Sequence, residues 1–513
     1  MTPHRNGAGG RRAAAALAAS AVLLGTGVGT AHADVSPALG YDVQADKGSL
    51  YNVAGVVGAL DGFRAGYTGK GVGVALIDTG VTPVRGLDTG NVVNGPDLSF
   101  DSQDPATAHV DGFGHGTHLA SIIAGRDAVG TPASYADPGR FTGIAPDANL
   151  VNVKVGAANG DVDVSQVIAA IDWVVQHRKD EALNIRVINL SYGTDSVQDS
   201  MVDPLAYAVE NAWKNGIVVV AAGGNEGDTT TNLANPASDP HVLAVGAMDS
   251  AGTVATTDDS VPSWSTDGTD ERHVDVTAPG VSVLGLRAPG SAADTQNPNA
   301  RVGDRFLRGS GTSQAAAVVS GEAALLFQAK PDLTPDQVKQ ILMGSANGLN
   351  NVSALLEGAG TTDLRKALRT VPRTVVDPAP WSTGTGSLEA ARGNFHVVVA
   401  DGTPAQAALQ GEVDVFGQAW NGPEWARQAK DRKAWHDGEW RGAALTARGW
   451  ANTGGVKKSW PAAVWNDTGA TLASGEWTGR MWRDGDWAGR MWRDSAWTGR
   501  MWRSGGFSSA GWF

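Results

Sequence analysis

Short apolar runs bounded by glycine recur along the chain, at residues 72–77, 150–155, 187–190, 217–222, 241–247 and 274–278. Several are apolar without alternation, the pattern of strands buried on both faces of a parallel sheet. Between them lie helical stripes. Residues 164–177 place Val164, Val167, Ile168, Ile171, Val174 and Val175 on one face, and 204–215 and 313–328 read in the same way. Thr334-Pro335-Asp336-Gln337 has the form of a capping box with Pro at the first helical position, opening a helix toward Ser345. This alternation predicts a doubly wound, mostly parallel α/β domain that ends near Leu368. Residues 370–386, with Pro372, Pro378, Pro380 and several glycines, read as a linker that would let the preceding domain fold alone.

A different period takes over beyond Gln418. Fourteen of the eighteen tryptophans lie there, from Trp420 to Trp512, spaced mostly by five residues and sharpened into copies such as Trp477-Thr478-Gly479-Arg480-Met481-Trp482. Five residues advance a helix by about 140° net, so the series is no helical stripe. Gly and Asp between the rings favour short strands and turns with Trp packing across hairpins. Residues 387–513 are therefore expected to form a small β or irregular Trp-repeat region. A stabilising module is one reading. A surface-binding module for cell-wall or polysaccharide material is a second, and disorder is a third.

Length and composition narrow the function. The chain has 513 residues, 42% apolar and 18% charged, which excludes a wholly disordered or fibrous protein. No cysteine is present, so disulfides, Cys-based metal sites and a thiol nucleophile are excluded. Residues 420–513 hold 14 Lys/Arg against 9 Asp/Glu, while the net charge of the whole is -13. An acidic body with a mildly basic tail does not point to nucleic acid as a partner.

The N-terminus has the layout of a secretory signal peptide: Arg5, Arg11 and Arg12, an apolar run over 13–28, then Ala31-His32-Ala33. Cleavage is expected after Ala33, giving segments 1–33 (signal), 34–60 (extension), 61–369 (main domain), 370–386 and 387–513. The apolar run is short beside the roughly 20 residues of a membrane span, so a secreted protein without a span is expected.

Four motifs carry candidate chemistry. Asp78-Thr79-Gly80 ends the first strand, and a second such triplet follows at Asp88-Thr89-Gly90. Paired catalytic aspartates on one strand–loop unit are geometrically excluded, because such pairs come from separate lobes. Gly114-His115-Gly116-Thr117-His118 opens a helix; it lacks the glutamate and the spacing of H-E-x-x-H, which leaves a general base or a packed, capping histidine. Gly223-Gly224-Asn225 ends a buried strand, either as a turn or with its amide in the crevice where such sheets bind ligands. Gly309-Ser310-Gly311-Thr312-Ser313 precedes an Ala-rich helix, with Ser313 either an N-cap or a nucleophile at the positive end of the helix dipole.

A carboxylate, an imidazole, an amide and a hydroxyl thus all fall at strand ends or helix starts, which share one edge of a doubly wound sheet. The order Asp, His, Ser is that of subtilisin. With Asn189-Leu190-Ser191-Tyr192-Gly193 and Ala278-Pro279-Gly280, these motifs make residues 61–368 resemble the subtilisin-like serine peptidases. The resemblance implies a secreted serine endopeptidase acting on proteins or peptides. Ser313 would be nucleophile, His115 general base and Asp78 its orienting carboxylate, with Asn225 in the oxyanion hole. Ser191, Tyr192 and Gly193 would line the substrate edge and S1 pocket, and Ala222 and Gly224 its opposite wall. No cofactor is implied for catalysis. Structural calcium is common among such proteins and stays open here, because its sites do not map residue by residue onto the loop at 126–140, and metal residues stay unassigned. Three departures stand out: Gln314 and Ala317 replace the usual Met and Pro, the loop at 126–140 is long, and residues 34–70 are too few for a separate pro-domain. The reading from another class is an inactive surface-binding protein whose Trp repeats carry the function.

Overall fold

The computed structural model describes residues 39–452, apart from residues 181, 228–231, 375–378, 400–406, 437 and 447–448. Seven strands form one parallel sheet: β1 (Gly73–Asp78), β2 (Val92–Asp97), β3 (Asn149–Lys154), β4 (Ile185–Leu190), β5 (Val218–Ala222), β6 (Leu243–Met248) and β7 (Val276–Pro279), in the order β2-β3-β1-β4-β5-β6-β7. Six of them coincide, within a few residues, with the apolar runs in the sequence. β2 has no such run, because its Val-Val-Asn-Gly-Pro-Asp stretch is half-exposed at the sheet edge and interrupted by Gly95 and Pro96. The chain reverses direction across the sheet at β1, which has β3 on one side and β4 on the other. In folds of this type the ligand crevice opens outside the carboxyl ends of the strands at such a switch point.

Two short helices, α1 (Leu50–Val56) and α2 (Ala59–Arg64), precede the sheet. Residues 39–60, in the segment expected as an N-terminal extension, pack onto the domain, with Leu39, Leu50, Val53 and Val57 buried in the common core. The backbone carbonyl of Val57 accepts from Leu364 N–H at 2.8 Å, which seats this segment against the domain's far end. Helices α3 (His115–Ala124), α4 (Val164–His177) and α5 (Pro204–Lys214) connect the strands. The span of α4 is the predicted one, and a capping box between Asp163 and Gln166 fixes its start. Three strands, β8 (Val283–Leu286), β9 (Arg301–Val302) and β10 (Phe306–Gly309), form a small antiparallel sheet around α6 (Ala292–Gln296). Then come α7 (Thr312–Ala329), α8 (Pro335–Ser345), α9 (Ala354–Glu357) and α10 (Leu364–Arg369). The capping box expected at Thr334 and Gln337 is present. Helix α7 is buried nearly all round because it crosses β4 to β7 on one face while α3 packs beside it; α4 and α5 cover the other face.

Glu322 sits wholly buried on α7, accepting from Thr362 Oγ1 at 2.6 Å. Burial raises its pKa from 4.5 to about 8, against the opposing effect of the Thr362 hydrogen bond. Above pH 4.5 the unfolded chain ionises this carboxyl and the folded chain does not. Its contribution to stability is therefore full below pH 4.5 and is lost progressively as pH rises to about 8. Glu322→Gln should flatten the pH dependence of the denaturant midpoint across that window. An unchanged slope would sink the assignment.

The segment expected as a linker is not a break in the fold. Trp381 stacks on His241 with centroids 3.5 Å apart, and Ser382 N–H donates to both carboxylate oxygens of Glu210 on α5 at 2.8 Å. Beyond it, α11 (Leu388–Arg392) and α12 (Gly422–Lys430) lie on the outer faces of α4 and α5. Asp172 of α4 accepts from the indole N–H of Trp425 at 2.8 Å and of Trp440 at 2.9 Å, and both rings are fully buried. The first Trp repeats thus belong to the core of the main domain. Trp435 and Trp440 pair directly across a tight hairpin, followed by paired strands Ala443–Thr446 and Gly449–Asn452. The copies from Trp460 onward, and the expected signal segment 1–33, lie outside the described residues.

Candidate active site

Asp78, the last residue of β1, places Oδ1 and Oδ2 at 2.8 and 3.0 Å from His115 Nδ1, with both side chains buried. Glycines make this contact possible. A Cβ on Gly116 would lie 2.1 Å from Gly80 O, so only glycine lets the first turn of α3 approach the end of β1 so closely. Gly114, before the helix, has φ +109, and a Cβ there would meet Ser291 Oγ at 2.5 Å.

The site has a polar frame that the motifs do not announce. Thr79 donates its N–H to Asp78 Oδ1 at 2.8 Å. Its hydroxyl donates to Asp111 Oδ1 at 2.8 Å and accepts from Gly116 N–H at 2.9 Å. Asp111 also accepts from the N–H groups of Phe113, Gly114 and Thr117. It thereby satisfies the orphan donors at the start of α3 and anchors His115 beside Asp78. Burial raises the Asp111 pKa, and the N–H bonds from Gly114 and Thr117 oppose that shift. The one signal for it in the sequence is an acidic residue four positions before the histidine, at a Gly-rich helix start.

His118, the second histidine of the motif, has a different part. Nε2 lies 3.2 and 3.1 Å from the carbonyls of Val283 and Leu307, and burial lowers its pKa to about 3. It is a neutral packing residue that ties α3 to β8 and β10. Among the described residues, no three His, Asp or Glu side chains converge as a metal-ligand set.

Ser313 lies in the first turn of α7. The N-cap of that helix is Gly311, with no side-chain cap, so serine-as-cap is not how the structure uses this residue. The starts of α3 and α7 meet where Gln314 Nε2 approaches His118 Nδ1 at 3.5 Å. Asn225 is oriented from the same place: its Oδ1 accepts from Thr312 N–H at 2.9 Å and Thr312 Oγ1 at 3.1 Å. Those two bonds fix the amide plane and turn the NH2 end away from Thr312.

Ser191, Tyr192 and Gly193 follow β4. Ser191 Oγ accepts from Asn189 Nδ2 at 3.2 Å, and Asn189 Oδ1 in turn accepts from Ser320 of α7 at 2.9 Å. A Cβ on Gly193 would meet that of Ala234 at 2.6 Å. Tyr192 is buried, and burial raises its pKa well above 10. Its ring therefore belongs to the interior. Ala222 is buried at the end of β5, with the half-buried Gly224 two residues on.

A buried carboxylate–imidazole pair at the switch point of a doubly wound sheet, with the start of α7 meeting that of α3, is an arrangement that serine-type hydrolysis can use. The subtilase family model matches residues 69–362, and the chain belongs to that family of serine-type endopeptidases. It is 35% identical over 307 residues to serine protease AprX of Bacillus subtilis (strain 168), covering 59% of this chain and 67% of that protein. Subtilisin E of the same organism is 33% identical over 289 residues, 56% of this chain and 63% of that one. For subtilisin Savinase of Lederbergia lenta the figures are 33% over 305 residues, 59% and 93%.

Proposed function

We propose that this chain is a secreted endopeptidase that cleaves proteins or peptides through Ser313, His115 and Asp78. The observation that carries this reading is the contact of Asp78 with His115 Nδ1 at 2.8 Å. A carboxylate there holds the ring with its proton on Nδ1 and leaves Nε2 as the base. Ser313 Oγ attacks the scissile carbonyl carbon and its proton passes to His115. The oxyanion is held by Asn225 Nδ2 and Ser313 N–H, at the positive end of α7. Collapse breaks the C–N bond as His115 returns the proton to the leaving amine, and water then hydrolyses the acyl-enzyme by the same steps. Ser191 and Gly193 line one side of the bound chain with the Tyr192 backbone, and Ala222 and Gly224 the other. Such small walls suit a roomy, apolar-tolerant S1 pocket.

The expected mutational order tests these roles. Asp78→Asn should lower kcat by about 10⁴ and Asn225→Ala by about 10²–10³. These magnitudes are carried over from serine proteases, subtilisin among them. If Asn225→Ala in folded protein fell as far as Ser313→Ala, the oxyanion role would be wrong.

Export is read from Arg5, Arg11, Arg12 and Ala31-His32-Ala33. No helix among the described residues is long and apolar enough to cross a membrane. For residues 453–513 we propose contact with cell-wall or polysaccharide material through Trp and Arg. Removing them should abolish retention on insoluble polysaccharide while cleavage of a small peptide continues. Unchanged retention would contradict that role.

A further inference from the structure

The short helix α11 lies outside the 69–362 family match, yet it contacts two loops at the edge of the sheet that carries the site. One loop, residues 155–163, joins β3 to α4. The other, residues 191–198, follows β4. These are the two strands that flank β1 and its Asp78, so the loops are the two sides of the crevice at the switch point.

The first loop leans on the site directly. Val155 and Gly156 N–H groups donate to the backbone carbonyl of Asp78 at 2.8 and 3.2 Å. A Cβ on Gly156 would meet Thr79 Cγ2 at 2.7 Å, and one on Gly112 would meet Ala158 Cβ at 2.5 Å. The loop ends at Asp163, the N-cap of α4. Arg392, the last residue of α11, donates from Nε to Asp163 Oδ2 at 2.7 Å, and neither side chain is exposed. The rest of its guanidinium bonds to Glu389 and to the carbonyls of Gly411 and Val413, so the planar fork is held on several sides.

The second loop is gripped by the same helix. Thr194 Oγ1 donates to Ala391 O at 2.6 Å and Val197 N–H to Ala390 O at 3.3 Å. Gln198 exchanges hydrogen bonds with Ser387, donating from Nε2 at 2.7 Å and accepting at Oε1 at 3.0 Å. Gly393, at φ +64, passes so close that a Cβ would lie 2.4 Å from Asp195 O.

We propose that α11, through Arg392 and the Ala391 carbonyl, sets the separation of the two crevice walls. Arg392 and Thr194 are thus positioning residues for extended peptide binding. This inference rests on the peptidase reading above and adds a regulator of substrate span that the matched domain does not contain. It predicts a split by substrate length. A short ester needs the nucleophile and oxyanion hole; a long peptide also needs both walls at their proper spacing.

The test uses Thr194→Val and Arg392→Lys in the full chain. Arg392→Lys keeps the charge and loses the fork, and Thr194→Val removes one wall contact alone, so a misfolded lysine variant leaves the valine variant to decide. Each should raise KM for a six-residue or longer peptide by about 10-fold, below the 10²-fold that a 1 Å misplacement can cost. Turnover of the bound peptide and kcat/KM for a short acyl ester should stay within about twofold. Equal losses on ester and peptide, or no change on the peptide, would overturn the proposal. Failure of the peptidase reading would look different: the unaltered protein would not turn over the ester at all.

Discussion

Ser313→Ala is expected to lower kcat by about 10⁶ and leave the fold in place, and His115→Ala should do the same. The size is that known for the subtilisin triad, a relative of this chain, and is carried over to it. The local structure explains why folding should survive. Ser313 does not cap α7, since Gly311 holds that position without a side-chain bond, and Ala is the best helix former. A single hydroxyl is lost from a nearly buried site. The double variant should be no slower than either single one, because nucleophile and base act as a unit. Progress curves on a peptide substrate, with circular dichroism as the control for folding, measure this. A variant that is folded and within about tenfold of the parent would mean that another group attacks.

Truncation after Leu368 should cost stability on a comparable scale. The sequence suggests a domain that folds without residues 370–513; the packing of α11, α12 and the Trp435–Trp440 hairpin on α4 and α5 reverses that expectation. Removing one fully buried Trp typically costs about 3–5 kcal/mol, and truncation removes both Trp425 and Trp440 along with Leu388, Ala391 and Phe416. It also strips Asp163 of Arg392 and Asp172 of two indole donors. The midpoint of thermal unfolding should fall by on the order of 10 °C or more. The single variant Trp425→Ala should reproduce a large share of that drop. A truncated protein melting within about 2 °C of the full chain would show that these contacts contribute little.

The sheet is legible in the sequence because buried parallel strands leave unbroken apolar runs, and the helices because apolar stripes and capping pairs mark them. Thr334 with Gln337 fixes one helix start within a residue. Asp78, His115, Asn225 and Ser313 are legible because glycines frame them, and Gly116 and Gly114 sit where a side chain would meet a neighbouring segment. Thr79 and Thr312 lie inside the motifs but carry no mark of the buried bonds they make, and Asp111 is marked only by its place four residues before His115. Lys154 is hidden likewise; it is fully buried in a strand, with Nζ bonded to Asp101 and to the carbonyls of Thr79 and Val110. The tail misleads because Pro and Gly between 370 and 386 look the same in a free linker and in a strap. The distant partners tell the two apart: His241 and Glu210 for Trp381 and Ser382, and Asp172 and Asp163 for Trp425, Trp440 and Arg392.

The central claim is that Ser313 is a nucleophile activated by the His115–Asp78 pair. Labelling with an active-site-directed fluorophosphonate, followed by peptide mapping, tests it most directly. Folded protein should take up one label per chain, on Ser313, and the rate should collapse in His115→Ala. Folded protein that takes no label, or carries it on another serine, would contradict the assignment.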